Sequence, residues 1–181
     1  MLTIKIPDRE YFDEETETFG TIKGMTLNLE HSLISISKWE SKWHVSFFDT
    51  DNKTTEQTLD YIRCMVINRE LPDDSKILNF LTKEDVEKIN KYINDPMTAT
   101  TIKDDGRKGR GQKVTSELIY YWMIQYNIPS QFEKWHINRL IMLIRVCSEE
   151  NKPKKKMSRR QIMAENKARN AARRARLGTK G

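Results

Sequence analysis

Cysteine is scarce in this 181-residue chain, with only Cys64 and Cys147 present. Two thiols cannot staple a disulfide framework, which excludes a small secreted scaffold and predicts a reducing compartment with both thiols buried. Long apolar runs are missing too. The longest aliphatic run, residues 140–144, falls far short of the roughly 20 residues a membrane helix needs. The opening segment, MLTIKIP, lacks an apolar core long enough for a signal peptide. Charged residues make up 32% of the chain and mean hydropathy is -0.74, too polar for a membrane protein.

Recognisable catalytic spacing is absent as well. His31, His44 and His136 with the two cysteines form no C-x-x-C, H-x-x-x-H or H-E-x-x-H pattern, so no metal site is expected. Cys64 beside Met65 and Cys147 on an apolar helix face suit burial rather than a nucleophile. Asp13, Glu14, Glu15 and Glu17 read as a solvated acidic loop without acid–base spacing. The sequence therefore predicts a non-enzymatic protein with no cofactor.

Acidic residues nearly vanish near the end of the chain. Residues 151–181 hold 12 Lys and Arg against the single acid Glu165, a net +11. That leaves 20 basic and 25 acidic residues in 1–150, a net -5. The overall +6 thus hides a basic arm on a mildly acidic body, an arm suited to an acidic partner or to nucleic acid. Its candidate contacts are Lys154, Lys155, Lys156, Arg159, Arg160, Arg169, Arg173, Arg174 and Arg176. A second basic stretch, GRKGRG at 106–111, offers Arg107, Lys108 and Arg110 to phosphates or a partner. It lacks the Lys-Ser/Thr ending of a phosphate-binding P-loop, and a plain surface loop is the stronger reading.

Periodicity divides the body. Residues 2–6 and 25–30 alternate apolar and polar side chains, which predicts an antiparallel hairpin with a long loop, residues 8–19 being acidic and turn-like. From 31 to 150 the signals are helical. Residues 31–48 read two ways: SLISIS at 32–37 suits a strand, while Leu33, Ile36, Trp39 and Trp43 share one helix face and favour a helix through about Trp43. Thr54 with Gln57, Thr82 with Asp85, Ser130 with Glu133, and Ser158 with Gln161 have capping-box form. The second of these opens a helix presenting Val86, Ile89, Tyr92 and Ile93 to a core. Thr115 or Ser116 starts the most apolar helix, residues 118–126, and the short break NIPS at 127–130 predicts an αα-hairpin with the helix that follows. Trp39, Trp43, Trp122 and Trp135 occupy core-like positions. The arm should be helical over 159–177 with Gly178 as its C-terminal cap, yet it has only an alanine stripe to bury. The expected class is mainly α with an N-terminal β-hairpin: a body over 1–150, a hairpin region over 1–30, and a basic helical arm over 151–181.

Several stretches carry a resemblance when taken as a set. They are EHSLISISKWESKWH (30–44), DYIRCM (60–65), YINDPMTATT (92–101), SELIYYWM (116–123), KWHINRL (134–140), KMSRRQIM (156–163) and NAARR (170–174). Together they are similar to a family of small proteins of tailed double-stranded DNA bacteriophages, and resemble the tail assembly chaperones of long-tailed phages. The resemblance covers nearly the whole chain and brings no catalytic residues with it. It implies a chaperone in the host cytoplasm that holds the long, helical, apolar tape measure protein before the tail tube polymerises around it. The tail tube protein is a second implied partner, and self-association a third. Two other readings stand beside it: a stoichiometric virion component such as a connector, and a nucleic-acid-binding protein acting through the arm.

Overall fold

The computed structural model describes residues 1–13, 17–50, 52–68, 75–102, 113–152 and 158–178. Strand β1 (Leu2–Ile6) pairs antiparallel with β4 (Met25–Leu29), matching Leu2 with Leu29, Ile4 with Leu27 and Ile6 with Met25. Alternation puts Ile4, Ile6, Leu27 and Leu29 on one buried face. The intervening segment is not simply a loop. It forms a second hairpin from β2 (Arg9–Asp13) and β3 (Thr18–Ile22), in which Phe12 opposes Phe19 and Tyr11 opposes Gly20. The turn-like reading of 8–19 missed it because the acidic residues mask short β-branched and aromatic strands. Gly24 closes the junction. A Cβ there would lie 2.6 Å from the Ile6 carbonyl oxygen and 2.7 Å from the Asp8 nitrogen, so a side chain does not fit.

Helix α1 (Leu33–Trp43) starts at Ser32, whose hydroxyl accepts the Ser35 N–H, and stops at His44 in the left-handed region, φ 55°. Its face of Leu33, Ile36, Trp39 and Glu40 is buried at helical spacing, and it packs on α2 and α4. Helix α2 (Thr55–Met65) opens with the expected capping box of Thr54 and Gln57. Its end runs into a short extended stretch along β4. Ile67 donates to the Asn28 carbonyl, Glu30 to the Met65 carbonyl, and Asn68 brackets the strand from Thr26 to Asn28. These bonds pair part of the β4 edge that would otherwise be open. A 3-10 helix (Ser75–Phe80) buries Ile77 and Leu78.

Helix α3 (Lys83–Ile93) carries the Thr82–Asp85 capping box and buries Ile89 and Tyr92, with Val86 and Ile93 half-buried. Helix α4 (Ser116–Gln125) is capped by Thr115. Helix α5 (Ile137–Glu150) begins later than expected. Ser130 and Glu133 form no capping box. Residues Ser130–Lys134 are instead a 3-10 helix preceded by Pro129, without a side-chain cap. Glu133 is engaged elsewhere, accepting the Tyr120 hydroxyl at 3.0 Å. Helix α6 (Arg159–Leu177) has both predicted caps, the Ser158–Gln161 box and left-handed Gly178.

The class is mainly α with N-terminal β-hairpins. The chain divides into two compact units, Met1–Glu149 and Glu150–Gly181. Of the four tryptophans, Trp39 is fully buried, Trp43 and Trp122 are half-buried against the core, and Trp135 is half-buried outside that set. Cys64 and Cys147 are half-buried rather than enclosed. No helix among the described residues is long and apolar enough to cross a membrane.

Candidate partner-binding groove

An apolar opening lies where α4 and α5 meet residues 48 and 114. It encloses about 480 Å³ and is lined by Phe48, Val114, Trp122, Tyr126, Ile141 and Ile144, with Arg145 and Ser148 as its polar members. The helical period explains the lining. Trp122 on α4 and Tyr126 at its C-terminal cap are one turn apart, while Ile141, Ile144, Arg145 and Ser148 span two turns along one side of α5.

Three local devices place these walls. Glu40 of α1 is buried, and its carboxylate accepts the N–H of Ser116 at 2.8 Å and that of Phe47 at 2.8 Å. A carboxylate at a helix N-terminus satisfies an orphan donor and complements the helix dipole. One side chain thereby fixes the start of α4 and the loop carrying Phe48. Ser46 adds a bond to the Val114 carbonyl at 2.6 Å, tying the same loop to the chain entering α4. At the far end, Asn127 adopts φ 52° and Ile128 donates to the Met123 carbonyl at 2.8 Å. Phe132 stacks on Trp135 with centroids 4.0 Å apart, and the Arg139 guanidinium covers the Trp135 ring at 4.0 Å. This 3-10 segment stands where the first turn of the helix after the 127–130 break was expected.

Helix α4 also carries exposed apolar side chains on the side away from Trp122 and Tyr126. Tyr121 is 57% exposed and Ile124 is 76% exposed, three residues apart on one face. Elsewhere Phe12 and Phe19 lie against each other at the second hairpin, 51% and 81% exposed.

A polar cluster sits inside the core, built from residues too far apart in the chain for spacing to reveal it. The rings of His31 and His136, 105 positions apart, approach to 5.0 Å between centroids. His31 Nδ1 is hydrogen-bonded to the Tyr61 hydroxyl, and burial together with His136 pushes His31 down to about 3. Burial likewise raises Tyr61 well above the usual phenol range. The Nε2–H of His136 donates to the Tyr92 carbonyl at 3.0 Å while its Nδ1 accepts the Asn138 N–H at 3.3 Å. Both contacts suit a neutral ring, and burial lowers its pKa. The Tyr92 hydroxyl donates to Glu30 Oε1 at 2.5 Å, and the Met1 amino group lies 3.0 Å from Glu30 Oε2. These groups satisfy one another and join β4, α1, α2, α3 and α5. The arrangement ties elements together; among the described residues no group of three His, Cys, Asp or Glu could hold a metal.

The candidate contacts read from the sequence divide by location. Arg159, Arg160, Arg169, Arg173, Arg174 and Arg176 all lie on α6 and are exposed. Lys154, Lys155 and Lys156, and the loop residues Arg107, Lys108 and Arg110, lie outside the described residues, as do Glu14 and Glu15. The groove itself was not singled out from the sequence. Its signal was the density of aromatic and aliphatic residues on α4 and α5, more than two short helices need for one core face. Comparison with protein-family models, with curated proteins and with solved structures yields no match to this chain.

Proposed function

We propose that this protein is a non-enzymatic holding protein for an apolar helical partner, and specifically a tail assembly chaperone that binds the tape measure protein during phage tail morphogenesis. The observation that carries the reading is the groove between α4 and α5. It is wide enough for one or two large apolar side chains and has a single cation, Arg145, at its lining. That chemistry suits an amphipathic helix that inserts apolar side chains and carries an acid beside them. A long helical protein awaiting assembly exposes many such segments, and a small protein with a preformed groove can mask them. The phage resemblance supplies the identity of the partner.

Co-expression with the tape measure protein of the same phage tests this. The full chain should keep that protein soluble and co-purify with it after nuclease treatment. Ser148→Trp should plug the groove and abolish both effects, and Trp122→Ala should weaken them. Equal recovery with the plugged variant would overturn the groove. Stoichiometric presence of the protein in mature virions would overturn the chaperone in favour of a structural component.

A further inference from the structure

We infer that α6 is a duplex-DNA-binding helix, its arginines on the phosphates of the two strands and Asn166 and Asn170 at the floor of the major groove. The inference is independent of the groove and concerns the other compact unit of the chain.

The composition of the helix points to phosphate. Between Arg159 and Leu177 there are six Arg and one Lys against Glu165, and every residue is exposed. Arginine is the cation whose planar fork pairs with phosphate oxygens bidentately. Within α6, Arg169 pairs with Glu165 at 2.7 Å. Arginines without that partner crowd one another at spacings such as Arg173 to Arg176, a cost that a polyanion removes.

The arrangement around the helix points to a groove rather than a flat surface. At 3.6 residues per turn, Asn166 and Asn170 fall on one line. Arg169, Arg173 and Arg176 run down one side of that line, and Arg160, Lys167 and Arg174 down the other. Ala164, Ala168, Ala171, Ala172 and Ala175 occupy the opposite face. The charged rows are thus set to reach two walls while short amides face what lies between them. B-DNA offers that shape: a major groove about 12 Å wide between phosphate walls, whose adenine edges an asparagine reads bidentately. Nineteen residues make a helix about 28 Å long, close to the axial length of one DNA turn.

An acidic protein partner fits less well. Helix-in-groove recognition uses apolar anchors at i, i+3 or i+4, and i+7. The only large apolar side chains on α6 are Ile162 and Met163 in the first turn and Leu177 in the last, with none between.

The test is fluorescence anisotropy of the full chain with a labelled 24-base-pair DNA duplex at several salt concentrations. Binding should weaken about 10³-fold or more between 50 and 200 mM salt, with a log–log slope of about -5 to -6. Replacing Arg169, Arg173 and Arg176 together with Ala should reduce that slope by about 3. Alanine favours helix, so circular dichroism should show α6 retained in this variant. Asn166→Ala with Asn170→Ala should leave the slope intact and flatten any preference among duplexes of different sequence. Duplex RNA should bind more weakly, because its deep, narrow major groove does not admit the helix. Ser148→Trp should bind DNA as the unmodified chain does. Absence of binding at 50 mM salt, or a slope indifferent to the triple replacement, would overturn the inference. RNA binding as tight as DNA would overturn the major-groove placement. Displacement of DNA by poly-glutamate at equal charge would assign α6 to an acidic protein instead.

Discussion

Glu40 Oε2 accepts the backbone N–H of Ser116 at 2.8 Å, joining the last turn of α1 to the first residue of a helix 76 positions away. The other oxygen accepts the Phe47 N–H at the same distance. The side chain is buried, so its two hydrogen bonds take the place of water around a carboxylate. Glu40→Ala should leave both N–H groups without that acceptor and cost about 3 kcal/mol, measured as a lower urea midpoint. Glu40→Gln keeps one acceptor oxygen and should cost about half as much. Because the same carboxylate positions Phe48 and α4, the alanine variant should also lose partner capture at the groove. A loss no greater than that of an exposed glutamate such as Glu56 would show that Glu40 does not hold α4.

Asp60 makes a second buried clamp, between α1 and α2. Its Oδ1 receives Lys42 Nζ at 2.5 Å with Arg63 at 3.6 Å, and its Oδ2 accepts the Trp43 indole N–H at 3.0 Å. The carboxylate is 6% exposed, whereas Lys42 is 55% exposed and can return to water when the pair is broken. Lys42→Ala should therefore cost about 1 kcal/mol or less. Asp60→Ala should cost about 2 to 3 kcal/mol, since it also strands the indole donor. A double-mutant cycle across the two positions measures their coupling, and a value of zero would reduce the ion pair to a surface contact.

Acid should destabilise the body before its carboxylates protonate. His31 is held at about 3 when folded, against 6.5 for the ordinary side chain, and His136 is lowered as well. Below pH 6.5 the unfolded chain binds protons that the folded chain refuses, so stability falls as pH drops through 6.5. The limiting slope is about 1.4 kcal/mol per pH unit for each histidine. The groups facing the pair are Tyr61, Tyr92 and Glu30, with Asp95 near His136. Urea titrations between pH 6.5 and 5 isolate the histidines from most carboxylates. His31→Gln should be less stable at pH 7.5 but show a flatter slope across that window. An unchanged slope would remove His31 from the account.

Sequence patterning located much of this architecture, for identifiable reasons. Three of the four capping boxes form, because a Ser or Thr three residues before a Gln or Asp satisfies helix donors with purely local geometry. The fourth fails because Glu133 meets the Tyr120 hydroxyl, a tertiary contact that local spacing cannot report. The pairing of β1 with β4 was legible from strict alternation. The β2–β3 hairpin was not, because Asp13 and Glu17 at its ends look like loop. The histidine pair was invisible for a similar reason: His31 and His136 meet only when Ile137 donates to the His31 carbonyl at 2.7 Å. The groove joins α4 and α5 to Phe48 and Val114 from other parts of the chain, which spacing along two helices does not report.

Helix α6 should respond to local terms alone. All of its residues are exposed, so propensity, capping and charge decide how much of it is formed. The Ser158 hydroxyl accepts the Gln161 N–H at 3.3 Å and Gln161 returns a bond to the Ser158 N–H at 3.0 Å. Ser158→Ala removes half of that box and should cost about 1 kcal/mol of helix stability. Gly178 has φ 63°, so Gly178→Ala should cost a similar amount at the other end. Each change should reduce the far-UV helical signal of the full chain by part of one helix while leaving the urea transition of Met1–Glu149 where it was. Added salt should raise the helicity of α6 by screening its arginines, and duplex DNA should raise it further. A shift of the body's urea midpoint by Ser158→Ala would show that the arm and the body fold as one cooperative unit.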